Sequence, residues 1–168
     1  QVREIGTTDL TGTTIHFLAD HTILKETIYS RHILASRLRE LSFLNRKVRI
    51  TLTDEREKDE QGKPLVEVFY SEVGINEFLE MLEKIGHRNP LIPAPIYSDI
   101  TDANTNVAVE VSLIYNDSYN EHLFSYVNNI NTIEGGTHLA GFRRAITRVF
   151  KSYGDKNKLF EKEKLEVS

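Results

Sequence analysis

Residues 126–153 read YVNNINTIEGGTHLAGFRRAITRVFKSY, a strand-like end, a glycine pair and then a long run with helical periodicity. Gly135 and Gly136 reach backbone angles closed to other residues, and Thr137 is placed to cap the next helix by accepting hydrogen bonds from its first free amides. The chain is therefore expected to turn sharply there. From Leu139 onward, Phe142, Ile146, Val149, Phe150 and Tyr153 recur at helical spacing, which predicts an apolar face buried against a sheet or another helix. Arg144, Arg148 and Lys151 fall on a different face. The plainest reading of that basic stripe is a solvated surface. The amides at Gly135, Gly136 and Thr137 suit either an anion or a purely structural turn, and His138 reads as a hydrogen-bonded interface residue rather than a general base.

The 168 residues fit one domain, or one domain with a piece of a neighbour, and suffice for a hydrophobic core. A hydrophobic share of 39% and a charged share of 27% describe an ordinary soluble globular protein. With no cysteine, disulfides and thiolate metal sites are excluded, in keeping with a reducing compartment. No apolar run approaches the length of a membrane span, and the first residues lack the basic and apolar blocks of a secretion signal. A net charge of -4 argues against wrapping nucleic acid over the whole surface, but leaves room for a local basic patch.

Alternation at 14–17 predicts a strand after the Thr11-Gly12-Thr13 triplet. A first helix is expected over 29–45, with Ser30 as its cap and Ile33, Leu34, Leu38, Leu41 and Leu44 as its apolar stripe; Arg37 and Arg39 read as surface charges. Alternation at 47–53 points Val48, Ile50 and Leu52 inward, and Val66, Val68 and Tyr70 repeat the pattern, so the two segments read as an antiparallel hairpin. Its tip, 54–63, mixes acidic and basic residues and reads as a solvated turn rather than an acid–base or metal site. A second helix is expected over 74–86, burying Ile75, Phe78, Leu79, Leu82 and Ile85 and ending at Gly86. Pro90, Pro93 and Pro95 force an extended connector. Strands follow at 96–101 and 107–115, then a turn at 117–120 into 122–128. Gly154 and Asp155 are expected to interrupt the last helix, and the charged run 156–164 is anchored by Leu159, Phe160 and Leu165. Residues 165–168 look like the approach to a further element. The fold class is α+β, a mostly antiparallel sheet with helices packed on one face.

Motifs for independent catalysis are missing. The six histidines show no metalloprotease spacing, and there is no Walker loop, nucleophile elbow or Asp-x-Asp pair. No catalytic residue and no metal ligand is assigned.

Asn-Asn-Ile-Asn-Thr at 128–132, Glu-Gly-Gly-Thr-His at 134–138 and Gly-Phe-Arg at 141–143 resemble the signature of the transducer domain of type II topoisomerase B subunits, those of DNA gyrase and of topoisomerase IV. Leu-Arg-Glu-Leu-Ser-Phe-Leu-Asn at 38–45 is a second match, and Thr-Gly-Thr at 11–13 resembles the last strand of the preceding GHKL-type ATPase domain. Ala19 stands where many relatives have proline, and Val73 where glycine is common. The resemblance implies that residues 1–20 are the end of the ATPase domain and 21–168 a transducer domain of ribosomal-protein-like fold, incomplete at its C-terminus. It implies nucleotide binding by Gly12 and Thr13, and an Arg143 that faces a DNA-sized cavity with Arg144 and Arg148 as neighbours.

It further implies ATP and Mg2+ as cofactors of the full-length protein, with none expected on this fragment. The implied partners are DNA, the gyrase or topoisomerase IV A subunit, and a second B subunit on ATP binding. The expected setting is the bacterial cytoplasm, in association with the nucleoid. On this reading the segment couples ATP turnover to DNA strand passage by a mechanical change rather than by chemistry of its own. The alternative is a stand-alone module of the same fold that docks a protein or nucleic acid through its basic helix.

Overall fold

The computed structural model describes residues 3–4, 6–9 and 11–160, and in it the first regular element is the helix Arg31–Leu44 (α1). Ser30 occupies the capping position, but only its backbone serves: Leu34 N–H donates to the Ser30 carbonyl at 3.1 Å and the Ser30 side chain makes no capping bond. The buried side of α1 is Ala35, Ser42 and Phe43, with Leu38 half-buried, while Ile33 of the expected stripe is exposed. Asn45 closes the helix, its amide and its side-chain Nδ2 both donating to the Leu41 carbonyl.

Ile50–Lys58 (β1) and Pro64–Phe69 (β2) pair antiparallel, with Ile50 opposite Phe69 and Leu52 opposite Glu67. The inward face of β2 is Leu65, Glu67 and Phe69, one residue out of step with the expected Val66, Val68 and Tyr70, which are exposed; Val48 is exposed as well. A one-residue shift exchanges the faces of a strand. Here the inward carboxylate is satisfied: Glu67 accepts from Arg31 Nη2 at 2.8 Å and Arg39 Nη2 at 2.7 Å. Arg39 also lies over the Phe69 ring at 5.5 Å. Arg39 is exposed and Arg37 half-buried, so both lie at the surface as expected, and each is engaged there, Arg39 with Glu67 and Arg37 with Glu40 and the Asn129 carbonyl.

Gly74, at φ 80, starts Ile75–Ile85 (α2), where its amide donates to Ser71 Oγ and Ser71 Oγ donates to Glu77. A side chain at Gly74 would press on the Phe43 carbonyl at 3.3 Å, so the turn needs both the positive φ and the missing Cβ. Phe78 and Leu82 face inward as expected, whereas Ile85 is exposed. Phe43 of α1 stacks on Phe78 of α2 at 5.3 Å, and Phe78 meets Phe124 at 5.9 Å; this aromatic column joins two helices to the irregular segment around residue 124.

Ile96–Thr101 (β3) and Ala108–Leu113 (β4) form a regular antiparallel hairpin with Tyr97 opposite Ser112 and Ile100 opposite Val109. Tyr126–Val127 (β5) and Ile130–Asn131 (β6) form a third, minimal ladder. Among the described residues the strands make three two-stranded ladders rather than one continuous sheet. α1 lies against β1 and β2, and α2 lies against α1 and β4, giving the described residues an α+β arrangement of three helices and short antiparallel ladders. Residues 14–17, expected as a strand, form no regular element and belong to no ladder of the described chain. The expected anchor Leu165 and the approach at 165–168 lie outside the described residues.

The last helix is Thr137–Lys156 (α3), which continues through Gly154 and Asp155 instead of breaking there. One glycine costs about 1 kcal/mol relative to alanine inside a helix, and the Phe160 ring fills the space a Gly154 side chain would take. Only the first half of the apolar face of α3 is covered: Leu139, Phe142 and Ile146 are half-buried. Val149, Phe150 and Tyr153, expected to be buried, are exposed, and α3 has no extensive packing against another described element.

Candidate nucleic-acid interface

The direction of α3 is set by the short segment that leads into it. Asn128 at φ 48 and Asn129 at φ 65 form the two-residue loop between β5 and β6, a left-handed pair that matches the twist of the strands. The ladder is extended by Ser125 and Thr132, where Thr132 N–H donates to the Ser125 carbonyl at 2.8 Å and the two hydroxyls lie 2.6 Å apart. Gly135, at φ 77, then turns the chain, and its amide donates to the Thr132 carbonyl at 2.8 Å.

Gly136, not Thr137, stands at the cap: its carbonyl accepts the first helical bond, from Ala140 N–H at 3.0 Å. Thr137 is the first helical residue, where its hydroxyl is beyond the amides a cap serves, and no side chain caps α3. His138 Nε2 lies 3.2 Å from Thr132 Oγ1, a hydrogen bond that ties the first turn of α3 back to the ladder.

Beyond this turn, Arg143, Arg144, Thr147, Arg148, Lys151, Ser152 and Asp155 line one open groove along α3. Spacings of three and four residues place these side chains on neighbouring turns of one helix face. Arg143, Arg144 and Arg148, singled out in the sequence, are brought together here and all three are exposed. Arg144, Arg148 and Lys151 make no ion pair with another described residue, whereas Arg143 Nη2 lies 2.6 Å from Glu121 Oε2. Gly12 and Thr13 lie elsewhere, in the stretch before α1 that has no regular secondary structure; both are exposed, and Thr13 makes no hydrogen bond with another described residue.

Glu121 has no motif to mark it in the sequence, and its pairing with Arg143 bridges 22 positions. Among the described residues no three His, Cys, Asp or Glu side chains gather as metal ligands would, and no helix is long and apolar enough to cross a membrane. Chemically, the groove offers fixed positive charge and hydrogen-bond donors on a rigid helix, which suits phosphate oxygens.

Solved structures share the fold. The 43K ATPase domain of Thermus thermophilus gyrase B, in complex with an aminocoumarin, superposes with a TM-score of 0.67 at 27% identity, over 83% of this chain and 36% of that one. The gyrase B protein from Myxococcus xanthus has the same fold, with a TM-score of 0.66 over 78% of this chain and 39% of its own. The fold is thus an α+β unit of the kind found within gyrase B proteins.

The sequence profile described as DNA gyrase B matches residues 74–168. The chain belongs to the DNA gyrase B family. It is 71% identical over 167 residues to the DNA gyrase B protein of Chitinophaga japonensis, covering 99% of this chain and 35% of that protein. The corresponding protein of Cytophaga hutchinsonii is 53% identical, over 99% of this chain and 34% of its own length. That of Staphylococcus aureus is 42% identical over 168 residues, 99% of this chain and 25% of the relative. The chain therefore spans between a quarter and about a third of the length of these relatives.

Proposed function

We propose that this chain is the transducer segment of the B subunit of an ATP-dependent type II DNA topoisomerase of the gyrase kind, with residues 1–20 the end of the ATPase domain and 21–168 the transducer. The observation that carries this reading is the exposed cationic stripe of α3, which follows directly on the Asn128–Asn129 loop and the Gly135 turn. Arg143, Arg144 and Arg148 contact the backbone of DNA. The A subunit and a second B subunit complete the assembly in the bacterial cytoplasm, in association with the nucleoid.

The segment is mechanical rather than catalytic. A stiff body that couples two sites needs contacts that differ between two states. Residues 11–19 support such a link to a neighbouring domain: they donate to and accept from no described backbone, and Ile15, Phe17 and Leu18 are exposed. ATP and Mg2+ act in the neighbouring domain, where ATP supplies the free energy of the cycle. The Thr13 hydroxyl is free to hydrogen-bond a nucleotide base, and Gly12, where a Cβ would meet open space, keeps the approach clear.

In the full-length protein assembled with its A partner, Arg143→Ala is expected to weaken DNA-stimulated ATP turnover while leaving the fold intact. Unchanged stimulation would reject the DNA-facing role. Thr13→Val in an intact ATPase–transducer protein should lower nucleotide affinity, and unaltered affinity would return Thr13 to the status of an ordinary extended residue.

A further inference from the structure

Arg143 differs from the other cations on its helix because it already holds an anion. Its Nη2 donates to Glu121 Oε2 at 2.6 Å. Glu121 does not belong to α3; it lies on the segment between β4 and β5, and that segment is pinned upstream. Asn116 Nδ2 donates to the buried Glu83 carboxylate at 2.6 Å. Asp117 accepts from the Asn89 amide at 3.0 Å and from Asn89 Nδ2 at 2.6 Å. Ser118 and Asn120 continue the path through short local turns. The carboxylate is therefore delivered to Arg143 by the course of the chain.

A carboxylate and a phosphate present the same pair of acceptor oxygens to a guanidinium. Whether one can replace the other depends on burial. The Arg143 and Glu121 side chains are 53% and 58% exposed, so their attraction is screened by water and salt and the pair opens at little cost. A buried pair would resist such exchange.

We propose that Glu121 is an internal stand-in for a nucleic-acid phosphate on Arg143, displaced when DNA reaches the α3 groove. This rests on the reading of that groove as DNA-facing, and adds a regulatory element to it. While Glu121 holds Arg143, the stripe presents Arg144, Arg148 and Lys151 alone. DNA gains Arg143 only by expelling the carboxylate, which then repels the incoming phosphate. Glu121 thereby reduces, by a small factor, the affinity for DNA that Arg143 would otherwise add.

The test is a double-mutant cycle in the full-length protein assembled with its A partner, reading the concentration of linear duplex DNA that half-maximally stimulates ATP turnover. Glu121→Gln should lower that concentration about two- to fivefold, the range spanned by exposed ion pairs, and the gain should vanish in the Arg143→Ala background. A Glu121→Gln protein indistinguishable from wild type, alongside an Arg143→Ala protein that is impaired, overturns the stand-in and leaves the DNA-facing reading intact. A gain that persists without Arg143 also overturns it, since removal of any negative charge near DNA would do the same. If Arg143→Ala itself changes nothing, the DNA-facing reading fails and the stand-in falls with it.

Discussion

Arg37, in the middle of α1, donates from Nη2 to the carbonyl of Asn129 at 2.6 Å, joining residues 92 positions apart. Its Nη1 meets Glu40 one turn along the helix at 2.6 Å. Asn129 Nδ2 in turn donates to Asn45 Oδ1 at 2.8 Å. Burial, and then a hydrogen bond to Glu40, push the Tyr126 phenol well above its ordinary range. The C-terminal half of α1 thus grips both sides of the β5–β6 loop from which α3 departs. Arg37→Ala should destabilise the protein by about 1.5 kcal/mol, the scale of a hydrogen bond to a charged group. Arg37→Lys should recover only part, because an ammonium cannot hold two acceptors in one planar fork. Urea unfolding gives the loss, and amide exchange at Ile130 and Asn131 shows whether it is local; unaltered exchange in both variants would dissolve the tie.

The loop residues themselves separate backbone from side-chain effects. Asn128 and Asn129 both have positive φ, which costs most L-residues about 1–2 kcal/mol and glycine nothing. Asn128→Ala is expected to lose about 1 kcal/mol, and Asn128→Gly to be nearly neutral. Asn129→Gly keeps the backbone but loses the bond to Asn45, so it should fall between the two. Equal stability of all three variants in thermal melts would show that the loop does not need the left-handed pair.

What the sequence disclosed divides along physical lines. Interactions within one element were legible: the 96–101 and 107–115 alternation anticipates β3 and β4, and the glycines at 74 and 86 bracket α2. The basic stripe of α3 was legible for the same reason, since helical spacing alone brings Arg144, Arg148 and Lys151 together. The inward face of β2 was not. Two alternations compete there, and the one containing Glu67 is discarded by any rule that sends charge to water; only Arg31 and Arg39, 36 and 28 positions away, make it acceptable. Glu121 is hidden by the same kind of distance. The exposed half of α3 is a different case, because its apolar spacing describes a face and not what covers it.

A buried charge network should show the largest single-residue cost. Glu83 on α2 is buried, and its carboxylate accepts from Arg88 Nε at 2.9 Å and from Asn116 Nδ2 at 2.6 Å. Arg88 also donates from Nη2 to the Leu82 carbonyl at 2.8 Å, closing the end of the helix. Arg88→Ala leaves the carboxylate with one neutral partner and should cost about 3 kcal/mol, the low end for breaking a buried pair. Glu83→Gln combined with Arg88→Met removes both charges and should cost less than Arg88→Ala alone. Chemical denaturation of wild type and the two variants decides it, and a double variant that loses as much as Arg88→Ala would show that the two charges do not act as a pair.

Acid sensitivity should be traceable to Asp54. Its side chain is buried on β1, where side-chain hydrogen bonds from Arg56, at 2.8 Å to Oδ1 and 2.6 Å to Oδ2, hold the carboxyl down at about 2 from its ordinary 3.8. The Arg56 amide adds a third bond at 3.0 Å. A carboxyl whose value is depressed by folding favours the folded state when ionised, so its contribution is complete above pH 3.8 and disappears as the pH falls through about 2. The stability gap between wild type and Asp54→Asn should therefore be constant from neutral pH down to about 4 and close steadily below that. Arg56→Ala should flatten the same gap, because it removes the largest cause of the depression. Urea titrations of wild type, the two single variants and the double variant at half-unit pH steps give the profile; a gap that does not narrow between pH 3.8 and 2 would mean that Asp54 titrates alike in the folded and unfolded chain.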